Sequence, residues 1–474
     1  MRRSDFLLGG GCGMLAVSLP ALTSRALAAQ RIDYTIIAAP LSFLPGNGNT
    51  YPALAFNGAV PGNVLRVTHG QRVRVLFRNR TGKPSTIHWH GMILPNAMDG
   101  VENVTQAPVP NGGSFTYEFT PNPPGTRWYH DHIAPGAMSG LFGMFIVEDP
   151  GDERADAEFA LVFHDVPRMK TVAAAMQGTS SAPMTDPIGS PEMQQMRMSD
   201  TMGDEVAYQA HCVNGKAYPQ TKPLVVKVGD RVRLRVLNAN PTQTRYVRLA
   251  GHRLRVTHAD GNLLPSPVEV DALRIGVGER YDAWFEVTRP GAWLLQGLSS
   301  DPLAFEQAVV VHTAGMENAA PQGNPQSLAG VEYFTYENAG GTARSSQGAP
   351  ASQNVSFVLG GGERGSPQWT INGKTWPDTP KIHARRGERI AVRFTNKSEM
   401  DHPMHLHGHV FNLTEVNGTF LARPIPKDTA LVSAHGGTLT MDFAATSPPG
   451  RWLLHCHNDI HMMDGMVTEV VYRP

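Results

Sequence analysis

Three similar stretches of the chain alternate apolar and polar residues, at residues 57–79, 214–238 and 372–396. Each stretch begins with Asn-Gly, places a large apolar residue at every second position of its second half, and ends in asparagine. This period-two pattern predicts β-strands that cover a core with one face and meet water with the other. We expect each stretch to form a hairpin, and the three copies to mark three β-sandwich domains.

A second shared element follows each copy and consists of an alternating aromatic strand, a glycine, and a strand that contains tryptophan. The three examples are residues 115–129, 281–295 and 439–454. The residues that come next differ: His130-Asp131-His132 in the first copy, Gln296-Gly297 in the second, and His455-Cys456-His457 in the third. We therefore expect a metal site between the first and third domains, with the second domain as a spacer and packing partner.

Changes in composition indicate boundaries near residues 150 and 313. The predicted domains are residues 30–150, 151–312 and 354–474, joined by a connection at 313–353 that is rich in Ala, Gly, Ser, Asn and Gln. Residues 169–202 hold seven of the 20 methionines and are interpreted as an insertion in the second domain. The expected fold class is all-β, with three Greek-key β-sandwich domains.

Length, composition and charge agree with this prediction. A chain of 474 residues is too long for one ordinary core and favours about three domains. Thirty-seven prolines and 48 glycines are typical of a loop-rich β protein. Basic and acidic residues number 41 each, so no net charge favours nucleic acid or an acidic surface as a partner.

The first 28 residues have the features of an export signal. Arg2-Arg3 precede an apolar stretch from Phe6 to Pro20, and Ala26-Leu27-Ala28 supplies small residues for cleavage. The paired arginines resemble a twin-arginine signal, but two residues rather than one separate Arg3 from Phe6, so a general secretory route stays open. The stretch is too short and too interrupted to anchor the protein in a membrane. We expect a soluble protein in the periplasm or outside the cell.

Three cysteines limit the options for disulfide bonding. Cys12 lies in the predicted signal, which leaves Cys212 and Cys456 in the mature chain. If Cys456 binds a metal, no disulfide can form within the mature chain, and Cys212 is then a small buried apolar side chain.

The segment His455-Cys456-His457 follows the apolar run Trp452-Leu453-Leu454 and should continue a β-strand. Neighbouring side chains on a strand point to opposite faces, so the two histidines should lie on one side and the cysteine on the other. Cys456, His461 and Met466 are the thiolate, imidazole and thioether that a blue-copper site needs, and we assign its second imidazole to His402. The alternative, that these are ordinary core or surface histidines, does not explain so dense a cluster.

Four His-X-His pairs supply further imidazoles. They are His88-Trp89-His90, His130-Asp131-His132, His405-Leu406-His407 and His455-Cys456-His457. On strands each pair presents both imidazoles on one face, so eight imidazoles should converge where the first and third domains meet. Imidazole suits copper, and eight imidazoles fit three ions, namely a coupled pair with three ligands each and a third ion with two.

These motifs resemble those of the multicopper oxidases, the three-domain laccase-like family of cupredoxin repeats, over essentially the whole mature chain. The resemblance implies three cupredoxin-like domains and four copper ions. By position, His402, Cys456, His461 and Met466 match the blue-copper ligands, and His88 and His405 match the single copper of a trinuclear cluster; His90, His130 and His457 match one ion of its coupled pair, and His132, His407 and His455 the other. We expect the remaining nine of the 19 histidines to be structural.

The resemblance also implies a function. Such an oxidase takes electrons one at a time from a substrate near the blue site and reduces dioxygen to water with four of them. Cys456 would pass each electron through the backbone to His455 and His457, and Met466, in place of leucine or phenylalanine, predicts a moderate reduction potential. The expected partners are dioxygen and a small-molecule or Cu(I) reductant, with no nucleic acid and no permanent membrane anchor, and we expect a monomer.

Asp99 matches a carboxylate that the family places near the cluster, where protons must enter during dioxygen reduction. The alternative is a turn residue in an Asp-Gly pair. Many bacterial relatives carry a second acidic residue directly after the last blue-site histidine. This chain has Met462 there, so the second donor is absent or replaced by Asp459 or Asp464.

The reducing substrate stays open among phenols, aromatic amines, pigments and metal ions. Thioether sulfur binds Cu(I), and methionines spaced to share a surface occur at Met193, Met196, Met198 and Met202, with Met462 and Met463 beside the blue site. The alternative is that these methionines fill a core. Two other functions fit the same fold: a copper-binding or copper-tolerance protein with incidental oxidase activity, and a copper-free structural scaffold, against which the complete ligand set argues.

Overall fold

The computed structural model describes residues 31–170, 206–299, 305–323, 330–345, 350–362 and 368–473. The predicted export signal, most of the methionine-rich insertion, and Met193, Met196, Met198 and Met202 lie outside these residues. The described part of the chain is almost entirely β-structure, which confirms the all-β prediction.

The first sandwich spans residues 34–148. Its strands are β1 (Tyr34–Phe43), β2 (Tyr51–Phe56), β3 (Gly62–Thr68), β4 (Val73–Asn79), β5 (His88–His90), β6 (Ser114–Phe119), β7 (Gly125–His130) and β8 (Phe142–Glu148). One sheet has the order β2-β1-β4-β6 and the other β3-β8-β7-β5. A short 3-10 helix, Asn96–Met98, follows β5.

The second sandwich spans residues 157–334. Its strands are β9 (Ala157–Pro167), β10 (Tyr208–Val213), β11 (Lys216–Ala217), β12 (Leu224–Val226), β13 (Arg231–Asn238), β14 (Arg245–Leu249), β15 (Leu254–Ala259), β16 (Asn262–Val270), β17 (Ala272–Ile275), β18 (Arg280–Glu286), β19 (Ala292–Leu298), β20 (Phe305–Thr313) and β21 (Tyr333–Phe334). Its sheets have the orders β11-β10-β9-β13-β18-β15-β16 and β12-β20-β19-β14-β17-β21.

Helix α1 (Tyr336–Gly340) leads into the third sandwich. Its strands are β22 (Thr342–Ala343), β23 (Gln353–Gly361), β24 (Trp369–Ile371), β25 (Ile382–Ala384), β26 (Arg389–Asn396), β27 (His402–Leu406), β28 (Phe411–Val416), β29 (Thr419–Lys427), β30 (Thr429–Val432), β31 (Thr438–Ala444), β32 (Arg451–Cys456) and β33 (Val467–Tyr472), with helix α2 (Asp459–Met463) before the last strand. The sheets have the orders β22-β29-β28-β31-β26-β23-β24 and β25-β33-β32-β27-β30.

The same strand pairings recur in all three sandwiches. One sheet of each contains a parallel pair, β1 with β4, β9 with β13 and β23 with β26, and the other contains a second parallel pair, β3 with β8, β12 with β20 and β25 with β33. Asn57, Asn214 and Asn372 each adopt a left-handed φ, near 50°, in the Asn-Gly turn. The internal repeat in the sequence is therefore a repeat of topology.

The predicted hairpins are wrong. β3 and β4 lie in different sheets, as do β12 and β13, and β25 and β26. Both sheets of a sandwich turn apolar side chains toward one shared core. Apolar alternation therefore cannot distinguish a hairpin from a chain that crosses to the facing sheet.

The core fixes the strand that carries the first histidine pair. Trp89 is fully buried, and its ring lies 5.5 Å from that of Tyr117, 5.0 Å from Phe119 and 5.3 Å from Phe145, between ring centroids. Because side chains alternate along β5, this anchoring turns His88 and His90 away from the core of the sandwich.

The stretch predicted as a connection, 313–353, contributes to two sandwiches. β21 pairs with β17 of the second sandwich, and β22 pairs with β29 of the third. Within the described residues, no helix has the length and apolar character needed to cross a membrane.

Candidate metal centre

Strand register brings the four His-X-His pairs together. β5 pairs with β7 so that His88 lies opposite His130, and β27 pairs with β32 so that His405 lies opposite His455. His407 and His457 follow directly where β27 and β32 end, and His132 lies two residues beyond the end of β7. The pairs therefore stand at adjacent strand ends, where side chains of the first and third sandwiches can meet.

The ligand atoms of these residues form compact groups, in each of which the atoms lie within 4.8 Å of one another. The groups are His88, His90 and His405; His90, His130 and His457; His132, His407 and His455; His88, Asp99 and His407; and, separately, His402, Cys456 and His461. All of these residues are buried. The structure thus brings together every histidine of the four pairs, and assembles the predicted blue-site histidines around the cysteine.

In seven of the eight cluster imidazoles, all except His457, one ring nitrogen faces an oxygen acceptor. Nδ1 donates to a backbone carbonyl in four cases: His88 to Asp99, His130 to Asp131, His405 to Asp428 and His455 to Cys456, at 2.8 to 2.9 Å. Nδ1 of His407 faces Asp99 Oδ2 at 2.9 Å, Nδ1 of His132 faces Glu102 Oε2 at 3.3 Å, and Nε2 of His90 faces Asp428 Oδ1 at 3.1 Å. Such outer partners fix the tautomer and orientation of metal-binding imidazoles.

The ring nitrogens on the opposite side of these imidazoles consequently carry lone pairs, and these lone pairs point at one another. A carbonyl oxygen can only accept, so Nδ1 of His88 and of His405 carries the proton, and their Nε2 lone pairs face each other at 3.4 Å. Nε2 of His407 and of His455 approach to 2.9 Å in the same way. A cation between such nitrogens makes this arrangement favourable, and neutral imidazole is a good copper ligand. The residues present therefore fit copper.

Burial keeps most of these imidazoles neutral. Desolvation, followed by repulsion from neighbouring histidines, holds the pKa well below its usual value in His90, His130, His402, His405, His407 and His455. Burial also lowers the pKa of His457 to about 3. His132 differs, because Glu102 outweighs the effect of burial and raises its pKa. Ligand-competent imidazoles therefore persist at neutral pH.

The separate group has the donors of a blue-copper site. Cys456 Sγ lies 3.4 Å from His461 Nδ1 and 3.7 Å from His402 Nδ1, and the two nitrogens are 2.9 Å apart. Helix α2 presents His461, because the side chain of Asn458 caps it by accepting from the N–H groups of Ile460 and His461.

Met466 is tied to the same residues through its backbone. Its carbonyl accepts from the Cys456 N–H at 3.0 Å, its N–H donates to the His461 carbonyl at 2.9 Å, and its side chain is fully buried. The ring of Trp369 packs against His461, with the two ring centroids 3.8 Å apart.

Asp99 is fully buried at the end of the 3-10 helix that follows β5. Its backbone oxygen holds His88 and its carboxylate holds His407, so it contacts imidazoles from both outer sandwiches. The next residue, Gly100, has φ of +85°, and a Cβ there would lie 1.9 Å from the carbonyl oxygen of Ile87. Asp99 is therefore in a turn, as the alternative supposed, and the turn places it against the candidate cluster.

The two candidate second acids differ in position. Asp459 lines a cavity of about 340 Å³, open mouth included, with His130, His132, His455 and His457. Burial raises the pKa of Asp459 to about 7, against an opposing effect of His132. Asp464 instead ends helix α2, and its carbonyl accepts from the N–H of Trp369 at 3.2 Å.

Several contacts were not found from the sequence. Glu102 and Asp428 orient His132, His90 and His405, and Trp128 packs its ring 4.3 Å from that of His130. Neither acid stands in a His-X-His motif or at a fixed spacing from one. Cys212 is buried, as expected, and burial raises the pKa of its thiol.

Comparisons with known proteins agree with this geometry. Residues 42–152, 187–313 and 348–474 each match a family profile described as multicopper oxidase. The multicopper oxidase MmcO of Mycobacterium tuberculosis is 33% identical over 475 residues, which cover 98% of this chain and 91% of that protein. A copper resistance protein A homolog of Pseudomonas syringae pv. tomato is 25% identical, over 89% of this chain and 89% of that protein.

Solved structures share the fold. A multi-copper oxidase from Pseudomonas thermotolerans matches with a TM-score of 0.69 and 25% identity, over 94% of this chain and 100% of that one. Fet3p, a multicopper oxidase that functions in iron import, matches with a TM-score of 0.77 and 19% identity, over 93% and 90%. These matches confirm the predicted cupredoxin-like fold class.

Proposed function

This chain belongs to the multicopper oxidase family, and we propose that it couples one-electron oxidation of a reductant to four-electron reduction of dioxygen. The observation that carries the proposal is the segment His455-Cys456-His457. Its cysteine lies in the mononuclear donor group and its two histidines in the adjacent groups, so a few covalent bonds join the two sites. When bound, copper would supply the redox chemistry at both.

Four copper ions account for the donors. His402, Cys456, His461 and Met466 would hold the blue copper; His88 and His405 one ion of the cluster; His90, His130 and His457 a second; and His132, His407 and His455 the third. The grouping of the nitrogens supports this division, and His90 lies within reach of two groups.

Two carboxylates serve as proton carriers in this proposal. Asp99 passes protons toward the cluster, because its fully buried carboxylate contacts His407 Nδ1 at 2.9 Å. Asp459 takes the place of the second donor, since it is partly exposed at the cavity that reaches His130 and His132. Asp464 does not line that cavity.

The reductant is a phenol, an aromatic amine or Cu(I). The name of the copper resistance relative favours a role in copper tolerance as the second candidate, with Cu(I) as the substrate. The protein acts after export, in the periplasm or outside the cell, because residues 1–28 have the composition of a signal.

Oxygen uptake tests the proposal. Copper-loaded protein is given a phenol or Cu(I), each with and without added copper, while hydrogen peroxide is assayed in parallel. We expect four reductant equivalents per dioxygen and no peroxide. Peroxide as the main product, or uptake that does not depend on bound copper, would contradict the four-electron reaction.

A further inference from the structure

We infer that Asp428 is a positioning residue for the copper cluster, and that the middle domain acts on the cluster through it. This inference rests on the proposed function, since it names a residue that orients two of the proposed ligands. The described residues of the middle domain contribute no ligand to any group, so an effect of that domain on copper would need a route of this kind.

Asp428 contacts two ligand imidazoles. Its carbonyl accepts from Nδ1 of His405 at 2.8 Å, and its Oδ1 lies 3.1 Å from Nε2 of His90. The two rings are stacked, with centroids 3.6 Å apart and an angle of 12° between their planes. Thr429 adds a hydroxyl that donates to Asp428 Oδ1 at 2.9 Å and lies 2.9 Å from the same His90 nitrogen. One short segment thus sets the orientation and tautomer of both rings.

Arginines from the other two sandwiches hold this carboxylate. Arg280 of β18, in the middle domain, donates from Nη1 to Oδ1 at 2.8 Å and from Nη2 to Oδ2 at 2.6 Å. Arg127 of β7, in the first domain, reaches Oδ2 at 3.3 Å. All three side chains are fully buried, and a two-pronged guanidinium contact fixes direction as well as distance.

Further buried charged side chains surround Asp428 where the three domains meet. Lys427 lies 3.1 Å from Asp260 and 2.9 Å from Glu279, so three cations and three carboxylates balance at this point, with Arg127, Arg280 and Asp428. Asp260 Oδ2 also accepts from the backbone N–H groups of Asp428 at 3.2 Å and Thr429 at 3.0 Å. The middle domain therefore contacts both the backbone of Asp428 and Thr429 and the side chain of Asp428.

The glycine after the first histidine pair leaves room for the contact. Gly91 has φ of +81°, and a Cβ there would lie 2.5 Å from Asp428 Oδ2 and 2.6 Å from Arg280 Nη2. The turn that contains Gly278 of the middle domain also lies against a ligand, because a Cβ there would be 3.1 Å from the ring of His457.

Stability alone does not account for this arrangement. Buried ion networks are often no more stabilising than apolar side chains of the same volume, because desolvation offsets the attraction. A network centred on the carboxylate that faces His90 has a second consequence, however. Loss of such outer partners weakens metal affinity by about 10- to 100-fold.

A matched pair of variants separates a role in stability from a role in positioning the proposed ligands. Asp428→Asn removes the charge at similar volume, and Asp282→Asn is the control. Asp282 is also a fully buried carboxylate and accepts from Arg233 at 2.6 Å and from Arg235 at 3.2 Å. Among the described residues, however, it contacts no proposed ligand. Copper is titrated into each copper-free protein while bound copper per chain, the blue absorption and the electron paramagnetic resonance of non-blue copper are recorded.

We expect Asp428→Asn to bind cluster copper about tenfold or more weakly and to lose non-blue signal, with the blue absorption retained. Asp282→Asn should lower the melting temperature and leave all copper signals unchanged. Equal cluster affinity in Asp428→Asn and the parent, or equal copper loss in both variants, would overturn the inference. A parent protein that binds no cluster copper would instead overturn the proposed function.

If Asp428→Asn does not fold, Arg280→Lys tests the positioning role instead. Lysine keeps the buried charge but cannot make the two-pronged contact. A folded Arg280→Lys protein should show an altered non-blue resonance and weaker cluster binding, although the substitution lies in the domain without ligands. An unaltered resonance with parental affinity would contradict a positioning role for the middle domain.

Discussion

The middle domain and the two outer domains use equivalent strands for different purposes. β7, β19 and β32 each run antiparallel to the last long strand of their sandwich. The residue five positions after a glycine on each of these strands is His130, Gln296 and His455, respectively. The cross-strand pair at that position is His88 with His130, Arg248 with Gln296, and His405 with His455. The recurring strand pairings are the same in all three sandwiches, so the sandwich does not by itself create the proposed metal centre; a few residues at its strand ends do.

The largest effect should come from removing a proposed ligand at that position. His455→Ala should lower oxygen uptake at least about a hundredfold, since loss of an outer partner alone costs up to about that much. Uptake and bound copper are measured on the same preparation.

The control is the equivalent residue of the middle domain. Gln296 is buried, and among the described residues its side-chain amide has no hydrogen-bond partner. Gln296→Leu should keep copper content and activity within about twofold, and should not lower stability, because an unpartnered buried amide is costly. Loss of copper from Gln296→Leu would break the comparison.

Acid should destabilise the copper-free protein through its outer domains. Six of their buried histidines have pKa values below the unfolded value of about 6.5, to about 3 in His457; the others are His90, His130, His405, His407 and His455. The unfolded chain then binds more protons than the native one, so this stability is present above about pH 6.5 and is lost as the pH falls. Calorimetry should show the melting temperature falling between pH 7 and 5, and falling less with copper bound. A copper-free melting temperature that is flat over this range would contradict neutral buried imidazoles.

A smaller effect is expected at the axial position of the blue site. Met466→Leu keeps a similar volume but removes the thioether, which stabilises the oxidised ion. The reduction potential should therefore rise in a redox titration that monitors the blue absorption. An unchanged or lower potential would mean that Met466 is not the axial ligand.

The smallest and most selective effect concerns the insertion in the middle domain. Replacing Met193, Met196, Met198 and Met202 by leucine keeps apolar bulk and removes thioether sulfur. Cu(I) oxidation should weaken by a few-fold while phenol oxidation persists, as measured by oxygen uptake. Equal loss of both activities would indicate a damaged fold, and no loss of either would make these methionines packing residues. A selective loss would show that the middle domain, whose described residues hold no proposed ligand, still serves the substrate.

Sequence reasoning succeeded where the chemistry is local. His88 and His90 occupy one short strand with a buried tryptophan between them, so alternation alone places both imidazoles on one side. The same reasoning failed for β3 and β4, since two facing sheets share one core and alternation fits either connection.

The partners of the imidazoles could not be predicted, because they come from distant parts of the chain. Asp428 lies 338 positions from His90 along the chain, and it is held by Arg127 and Arg280 from two other sandwiches. No periodicity or motif spacing links these residues. Only the packing of three domains makes them neighbours.

Cys456→Ser tests most directly whether one segment joins two copper sites. Copper per chain, the blue absorption and the non-blue resonance are measured for the variant and the parent after identical loading. The parent should hold four coppers and be blue; the variant should hold three, lack the blue absorption and keep the cluster resonance. A blue Cys456→Ser protein, or one that loses the cluster copper together with the colour, would contradict the division of His455, Cys456 and His457 between two sites.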